Sequence, residues 1–319
     1  MEKTNMKILV TGGAGFIGSH LTEKLLGLNH SVCCIDNFND YYDPQIKRKN
    51  IVPFLSSPQY KLYEEDIQNY PAMKKIFDQE KFHVVVHLAA RAGVRPSLVD
   101  PDLYNRVNVV GTTHLLECSR LTSVNTFIFG SSSSVYGVNN KVPFSVDDKI
   151  DRPISPYAAT KIAGEMLCHV YHHLYGMHIT SLRFFTVYGP RQRPEMAIHK
   201  FAENIAQGEP IPFFGDGSSR RDYTYIDDII QGILASIEKN YPYEVFNLGN
   251  SNTISLKELV ATIEQAIGKQ AIIKQMDNQP GDVPITYADI SYSEKMLGFS
   301  PSTNIYDGIK KFAAWFKAK

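Results

Sequence analysis

The run Thr11-Gly-Gly-Ala-Gly-Phe-Ile-Gly18 constrains this chain most. It follows the apolar run Lys7-Ile-Leu-Val10 and precedes a segment of helical composition over 19–28. A short apolar run bounded by a glycine turn reads as a buried strand. Without side chains, Gly12, Gly15 and Gly18 let the backbone turn sharply and let helix and strand approach closely. The run, with Phe16 and Ile17 in it, is the turn and entry to that helix, whose N-terminus presents unpaired N–H groups and the positive end of its dipole, which suits a pyrophosphate. A second strand, Ser31-Val-Cys-Cys-Ile35, closes on Asp36, about 20 residues further on. An acid there accepts from ribose hydroxyls and repels a 2′-phosphate. Together these features predict a β-α-β unit that binds a dinucleotide, NAD in preference to NADP.

The alternation continues down the chain. Val84-Val-Val-His-Leu88, Thr126-Phe-Ile-Phe129 and residues 179–185 read as strands, and 105–121 and 158–175 as helices. Strands separated by helices pair in parallel, and nearly continuous apolar strands belong to a sheet covered on both faces. The expected fold class is α/β, a Rossmann-type doubly wound parallel sheet with a smaller mixed α/β C-terminal domain. The texture changes after about Thr186, where Pro and Gly become frequent, as in Gly189-Pro190, Gly208-Glu-Pro210 and Pro280-Gly281. Helical pieces remain over 198–207, 226–239, 255–267 and 306–317. This places the dinucleotide domain at 1–185 and a substrate domain at 186–319. Val245-Phe-Asn-Leu248 reads as a strand that rejoins the first sheet, so that 240–265 return to the first domain.

Charge excludes some functions. The 33 Lys and Arg balance 33 Asp and Glu, so the formal net charge is zero. A general nucleic-acid or anionic-membrane binder carries a net basic surface instead. No apolar stretch approaches the roughly 20 residues that cross a bilayer, and Ile8-Leu-Val10 is too short for a signal-peptide core. The four cysteines, Cys33, Cys34, Cys118 and Cys168, form no C-x-x-C pair and suit a reducing compartment, so a cytoplasmic protein is expected. His169, His172 and His173 share a helix with Cys168 but lack an H-E-x-x-H pattern, and no metal site is expected.

Tyr157-Ala-Ala-Thr-Lys161 puts a phenol and an ammonium one helical turn apart on one face. A phenol ordinarily titrates near ~10, too high for a base at neutrality. A neighbouring ammonium and the positive ring of an oxidised nicotinamide both favour the phenolate. Gly130-Ser-Ser-Ser-Ser134 follows the strand at 126–129, where hydroxyls can orient an alcohol and share its proton. Asp66-Ile67 and Leu88-Ala89-Ala90 fall at strand ends, which line the ligand crevice of such sheets.

With these pieces in place, the chain resembles the extended short-chain dehydrogenase/reductase family over essentially its whole length. The matching residues are the glycine run, Asp36-Asn37, Asp66-Ile67, His87-Leu-Ala-Ala90, Asn108, the serine run with Val135-Tyr-Gly137, Tyr157 with Lys161, and Arg221-Asp-Tyr223. Within that family it is most similar to the nucleotide-sugar 4-epimerases. Among these it most resembles those acting on UDP-glucuronate, through Asp36-Asn-Phe-Asn-Asp-Tyr-Tyr-Asp43 with Lys47-Arg48, and through Phe184-Phe-Thr-Val-Tyr-Gly-Pro-Arg-Gln-Arg-Pro194. The resemblance implies NAD-dependent inversion at C4 of a UDP-sugar through a transient 4-keto sugar. Tyr157 is then the base, Lys161 its partner on the nicotinamide ribose, and Ser132 the serine on the sugar hydroxyl. Asn108 and Phe185 become pocket residues for NAD, Phe214 and Arg221 contacts to uracil and diphosphate, and Asp282 a uridine-side residue. A homodimer through helices near 105–121 and 158–175 is implied as well.

Two departures bear on the reaction. Dehydratase relatives carry Asp-Glu in the serine run and decarboxylase relatives a Glu near its end, whereas this chain has Ser133 and Ser134, which favours epimerisation. UDP-galactose epimerases usually have Asn after the Phe that matches Phe185. Here Thr186 follows, with Arg191 and Arg193 close behind. Arg193 with Thr186 and Ser133 or Ser134 can clamp a sugar carboxylate, since guanidinium binds carboxylate bidentately, or the arginines can serve the diphosphate alone. UDP-glucose or UDP-N-acetylglucosamine epimerisation, UDP-glucuronate decarboxylation and a non-catalytic NAD sensor stand behind UDP-glucuronate epimerisation, in that order. A sensor on this fold tends to lose the Tyr/Lys pair, which this chain keeps.

Overall fold

A computed structural model describes residues 5–139, 141–277 and 285–318. The chain divides into two compact units. The first comprises Met1–Gly137, Lys149–Arg183 and Ile230–Phe246, and the second Val138–Asp148, Phe184–Ile229 and Asn247–Lys319.

The first unit is built on seven strands: β1 (Lys7–Thr11), β2 (Ser31–Ile35), β3 (Tyr60–Tyr63), β4 (Val84–His87), β5 (Thr126–Ser132), β6 (His178–Phe184) and β7 (Tyr243–Leu248). Their order in the sheet is β7-β6-β5-β4-β1-β2-β3, and the pairs from β3 through β5 are parallel. The apolar cores of β1, β2 and β4 are buried on both faces, which explains their unbroken Ile-Leu-Val, Val-Cys-Cys-Ile and Val-Val-Val composition. Chain order reverses at β1, which has β2 on one side and β4 on the other. Thr11 and His87 are register partners at its C-terminal end, the place where such sheets bind ligands. β7 rejoins this sheet as its edge strand, as expected for Val245–Leu248 from the sequence.

Helix boundaries follow local chemistry. The helix Pro156–Tyr175 starts where the Ser155 hydroxyl accepts from the Ala158 amide with Pro at the first position, and ends at Gly176 at φ +65°. Asn69 caps Tyr70–Glu80 in the same way. The segment read from sequence as one helix over 105–121 is not uniform. Pro101–Asn105 is α-helical, Arg106–Val110 forms a π turn, and the α-helix resumes at Gly111–Leu121. Such insertions carry no period that sequence could reveal, and they favour functional positions.

The second unit holds short strand pairs, Thr186–Tyr188 with Tyr223–Tyr225 and Pro210–Phe214 with Ile272–Met276. Arg220–Arg221 lies between Ile254–Ser255 and Ile285–Thr286. The helices Ala197–Gln207, Leu256–Ile267 and Ile305–Lys317 pack beside them, the second opened by a Ser255/Glu258 capping box. Two segments fall differently from a single split at 185. Val138–Asp148 belongs to the second unit because Phe144 is strapped there. Its N–H donates to the Tyr287 carbonyl, its own carbonyl accepts from Asp289 N–H and Asn247 Nδ2, and its ring faces Phe185. The segment that rejoins the first unit is Ile230–Phe246, where the sequence placed 240–265.

Candidate active site

The glycine loop leaves β1 at Thr11. Gly12 sits at φ +68°, and a Cβ there would stand 2.9 Å from the Ala89 nitrogen. A Cβ on Gly18 would overlap the Gly12 carbonyl oxygen, and one on Gly13 would come within 2.6 Å of Cys34 Sγ. The backbone is therefore drawn tight against β2 and the end of β4, held by Gly12 N–H on the Ile35 carbonyl (2.7 Å). The helix Phe16–Gly27 begins at Gly15, which has no side chain to cap its first N–H groups. Phe16 and Gly18 are buried and Ile17 half-buried.

Asp36 is buried at the end of β2. Its carboxylate accepts from Ala14 N–H (3.3 Å) and Phe38 N–H (3.0 Å) and lies 3.6 Å from Lys47 Nζ. Asn50 completes the support by donating to the Ala14 carbonyl (3.0 Å). Lys47 belongs to the Lys47-Arg48 pair that carries the family resemblance, whereas Asn50 does not stand out in the sequence. Asn37 donates to Asp66 (2.8 Å), which brings two expected site residues together, and Ile67 fills the space above Gly111.

Leu88, Ala89 and Ala90 are half-buried after β4, and Asn108 holds the segment that follows them. Its amide exchanges two hydrogen bonds with the Arg91 backbone (2.8 and 2.9 Å) and donates to Thr160 Oγ1 (3.0 Å). Both amide hydrogens are thus spent on the protein, and Asn108 positions its neighbours from the π turn. His87 sits beneath, with Nδ1 on Thr11 Oγ1 (2.8 Å) and Nε2 on Thr112 Oγ1 (2.9 Å). Burial, aided by the Lys161 charge, pulls its imidazole down to about 3, so it stays neutral.

Tyr157 and Lys161 lie in the first turns of Pro156–Tyr175. Tyr157 is half-buried with its ring edge-on to Tyr104 at 6.2 Å. Lys161 is buried, and its Nζ donates to the Gly130 carbonyl at the end of β5 (2.7 Å). Burial pulls the ammonium down to about 8, opposed chiefly by Glu165. Ser132 caps the 3-10 turn Ser133–Tyr136, accepting from Ser134 N–H, and its hydroxyl meets that of Ser134 at 3.2 Å. Two of the three histidines of this helix, His169 and His172, pack on the Tyr243 ring, and His173 stacks on His169.

In the second unit, Phe185 is buried with its N–H on the Leu248 carbonyl (3.0 Å), and Thr186 N–H donates to the Asp222 carbonyl (3.2 Å). Arg193 is half-buried and pairs within its own loop, with Glu195 (3.2 Å) and Met196 Sδ. Phe214 ends its strand opposite Met276, and Arg221 donates to the Arg220 carbonyl (2.9 Å). Asp282 lies outside the described residues. Asp222 is visible in the sequence only as the middle of Arg221-Asp-Tyr223. Its carboxylate gathers Asn250 N–H, Ser251 N–H, Ala288 N–H and Thr224 Oγ1, and burial still pushes it up to about 6. Its one signal is an acid between Arg221 and the Tyr223-Thr-Tyr225 run, which does not say what it holds.

Residues 8–249 match the NAD dependent epimerase/dehydratase family. The chain belongs to that family. Among curated relatives, the UDP-glucuronate 4-epimerase of Thermodesulfobacterium geofontis is 44% identical over 97% of this chain and 95% of that protein. The structure of UDP-glucuronic acid 4-epimerase from Bacillus cereus, in complex with UDP-glucuronic acid and NAD, superposes with a TM-score of 0.93 at 40% identity, covering 98% of this chain and 99% of that one. UDP-glucose 4-epimerase from Thermotoga maritima follows at TM-score 0.89 and 33% identity, over 98% and 99% of the two chains. The residues of this family member fit the family's dinucleotide. The loop has no room for Cβ atoms at Gly12 or Gly18, the helix start carries no side-chain cap, and a carboxylate ends β2.

Proposed function

We propose that this chain inverts C4 of a UDP-sugar with NAD as its resident cofactor, and that the sugar is glucuronate, giving UDP-galacturonate. The observation that carries the reading is the full-length likeness to an enzyme described with UDP-glucuronic acid and NAD, on a chain that keeps Tyr157 one turn from a buried Lys161. Gly12, Gly15, Phe16, Ile17 and Gly18 take the pyrophosphate. Asp36 and Asn37 take the adenosine ribose, Asp66 and Ile67 the adenine, and Leu88, Ala89, Ala90 and Phe185 line the rest, with Asn108 holding the wall. NAD, once bound, supplies the hydride acceptor for C4 and the donor that restores it from the opposite face. Tyr157 removes the proton of the 4-hydroxyl and later returns it, Lys161 favours the phenolate and binds the nicotinamide ribose, and Ser132 orients the hydroxyl. Phe214, Arg221 and Asp282 anchor the UDP while the sugar turns over.

A 4-keto glucuronate is a β-keto acid and loses CO₂ readily, so its carboxylate must be held in a charged, hydrogen-bonded pocket. Arg193, Thr186 and Ser133 or Ser134 take that role. The surface ion pair of Arg193 with Glu195 is a weak competitor for it. Proton NMR of UDP-glucuronate mixed with the purified protein, without added NAD, should show UDP-galacturonate with the carbon skeleton intact. A pentose product would overturn the epimerase reading. Arg193→Ala should depress turnover of UDP-glucuronate by about tenfold or more beyond any loss with UDP-glucose, the size expected for one charge-assisted contact. Equal losses on both sugars would move Arg193 to the diphosphate.

The same reading includes a cytoplasmic homodimer. Met166, Val170 and Leu174 are exposed at i, i+4 and i+8 of Pro156–Tyr175, and Val110 and Leu121 are exposed at 106–121. Among the described residues no helix is long and apolar enough to cross a membrane. Sedimentation should give the mass of two chains, and a monomer at micromolar concentration would remove the dimer.

A further inference from the structure

Glu165 lies one turn beyond Lys161 on Pro156–Tyr175 and is 1% exposed. Its carboxylate accepts from Arg183 Nε (3.0 Å) and Nη2 (2.8 Å), a buried bidentate pair, and from Ser131 Oγ (2.5 Å). Arg183, on β6, also donates Nη1 to the Tyr136 phenol oxygen (3.0 Å) and lies 5.0 Å over that ring. Lys161 itself donates to the Gly130 carbonyl. The segment from Gly130 to Tyr136, which carries Ser132, Ser133 and Ser134, is therefore tied at 130, 131 and 136 to three charged side chains.

Buried ion pairs are poor stabilisers, since desolvation offsets their attraction and apolar replacements often do as well. A buried pair in this place calls for another reason. We propose that the Glu165–Arg183 pair is a positioning device for the reaction, fixing the serine segment against the Tyr157/Lys161 helix and supplying the negative charge that keeps Lys161 a cation. This deepens, and rests on, the roles given above to Tyr157 and Lys161.

The surroundings of Lys161 favour Glu165 as its charge partner. From its own helix come Tyr157, one turn before it and served by its charge, and Glu165 and Cys168 beyond it; burial pushes the Cys168 thiol up so that it stays neutral. From β4 comes His87, also neutral. From β5 come the Gly130 carbonyl and the Phe129 ring, 5.1 Å from Nζ. Arg183 on β6 faces Glu165 and donates both hydrogen bonds of the pair to its carboxylate. Removing the Glu165 charge lets burial act on the ammonium with less opposition, so Lys161 should lose its proton at lower pH.

The test is a titration of the Lys161 ammonium by NMR of lysine-labelled full-length protein, its signal assigned by loss in Lys161→Met, alongside kcat against pH. In Glu165→Gln the Lys161 midpoint should fall by about one unit or more. The alkaline limb of kcat should move down with it, a displacement that loose packing alone does not produce. An unchanged midpoint overturns the proposal, and so does a shifted midpoint with an unmoved kcat profile. Glu165→Gln leaves Arg183 as an unpaired buried charge. Should that variant not fold, the double variant Glu165→Gln/Arg183→Gln carries the same test with both charges removed, and a smaller downward shift is expected, because loss of the Arg183 cation partly offsets loss of the carboxylate. The titration needs no substrate. Failure of the wild type to convert any UDP-sugar would therefore strike the proposed function, while the midpoint still judges the pair.

Discussion

Tyr157→Phe is expected to lower kcat for C4 inversion by about 10²–10⁴-fold, the range that a positioned acid–base group contributes. The substitution keeps the ring that meets Tyr104 edge-on and removes only the hydroxyl. Lys161 stays anchored on the Gly130 carbonyl, and the glycine loop is untouched, so NAD and UDP-sugar should bind the variant nearly as before. Calorimetric binding together with single-turnover rates separates the two effects. A variant with wild-type kcat would shift the base to another group, with Ser132 the first candidate. Loss of binding alongside kcat would mean that the phenol holds the ligands more than it moves the proton.

The second large effect concerns stability against pH. His87 is held neutral in the fold, at about 3 against an ordinary 6.5, first by burial and then by the Lys161 charge. Between those values the unfolded chain binds a proton that the folded chain refuses. Stability contributed by His87 therefore rises with pH across the window from 3 to 6.5, by up to about 5 kcal/mol over its full width. Asp222 works the other way. Its folded value, raised to about 6 from 3.8, gives stability that is full below 3.8 and lost as pH rises through 6. Urea unfolding of the wild type and of His87→Gln between about pH 4 and 6.5 isolates the histidine, since Asp222 is common to both. The variant should show the smaller gain on raising the pH. Equal gains would mean that the imidazole takes up its proton in the native state, and that Thr11 and Thr112 hold it charged.

Much of the dinucleotide side is legible in the sequence. The glycine turn, the acid closing β2 and the apolar strands at 84–88 and 126–129 are local patterns, and the fold builds each one as such. The return of Val245–Leu248 to the sheet is also legible, as a short apolar run after a long helix. The π turn at Arg106–Val110 is not, because an extra residue in a helical turn leaves the apolar period almost unchanged. Asn108 reads as a pocket residue by its resemblance to the family. Its actual partners, Arg91 and Thr160, are 17 and 52 residues away, and nothing in the sequence pairs them.

The charged residues mark the limit most clearly. Nothing in the sequence singles out Glu165 or Arg183, yet both are buried and bound to each other, to Ser131 and to Tyr136. Asp222 reads as one residue of a motif, yet it joins three backbone N–H groups from two distant loops. By contrast, Arg193 draws attention by its place after Thr186, and the structure finds it in a local pair with Glu195, so its substrate role rests on chemistry and the variant assay.

By itself, then, the sequence determined the strand–helix alternation, the dinucleotide turn and the one-turn spacing of Tyr157 and Lys161. Each is set by periodicity and backbone sterics within about 20 residues. The tertiary structure alone decided which ionisable groups leave water together, and so whether His87 is neutral, Lys161 is poised near 8 and Asp222 near 6. Desolvation and Coulomb attraction depend on distances across strands and helices far apart in the chain, and no local pattern encodes those distances.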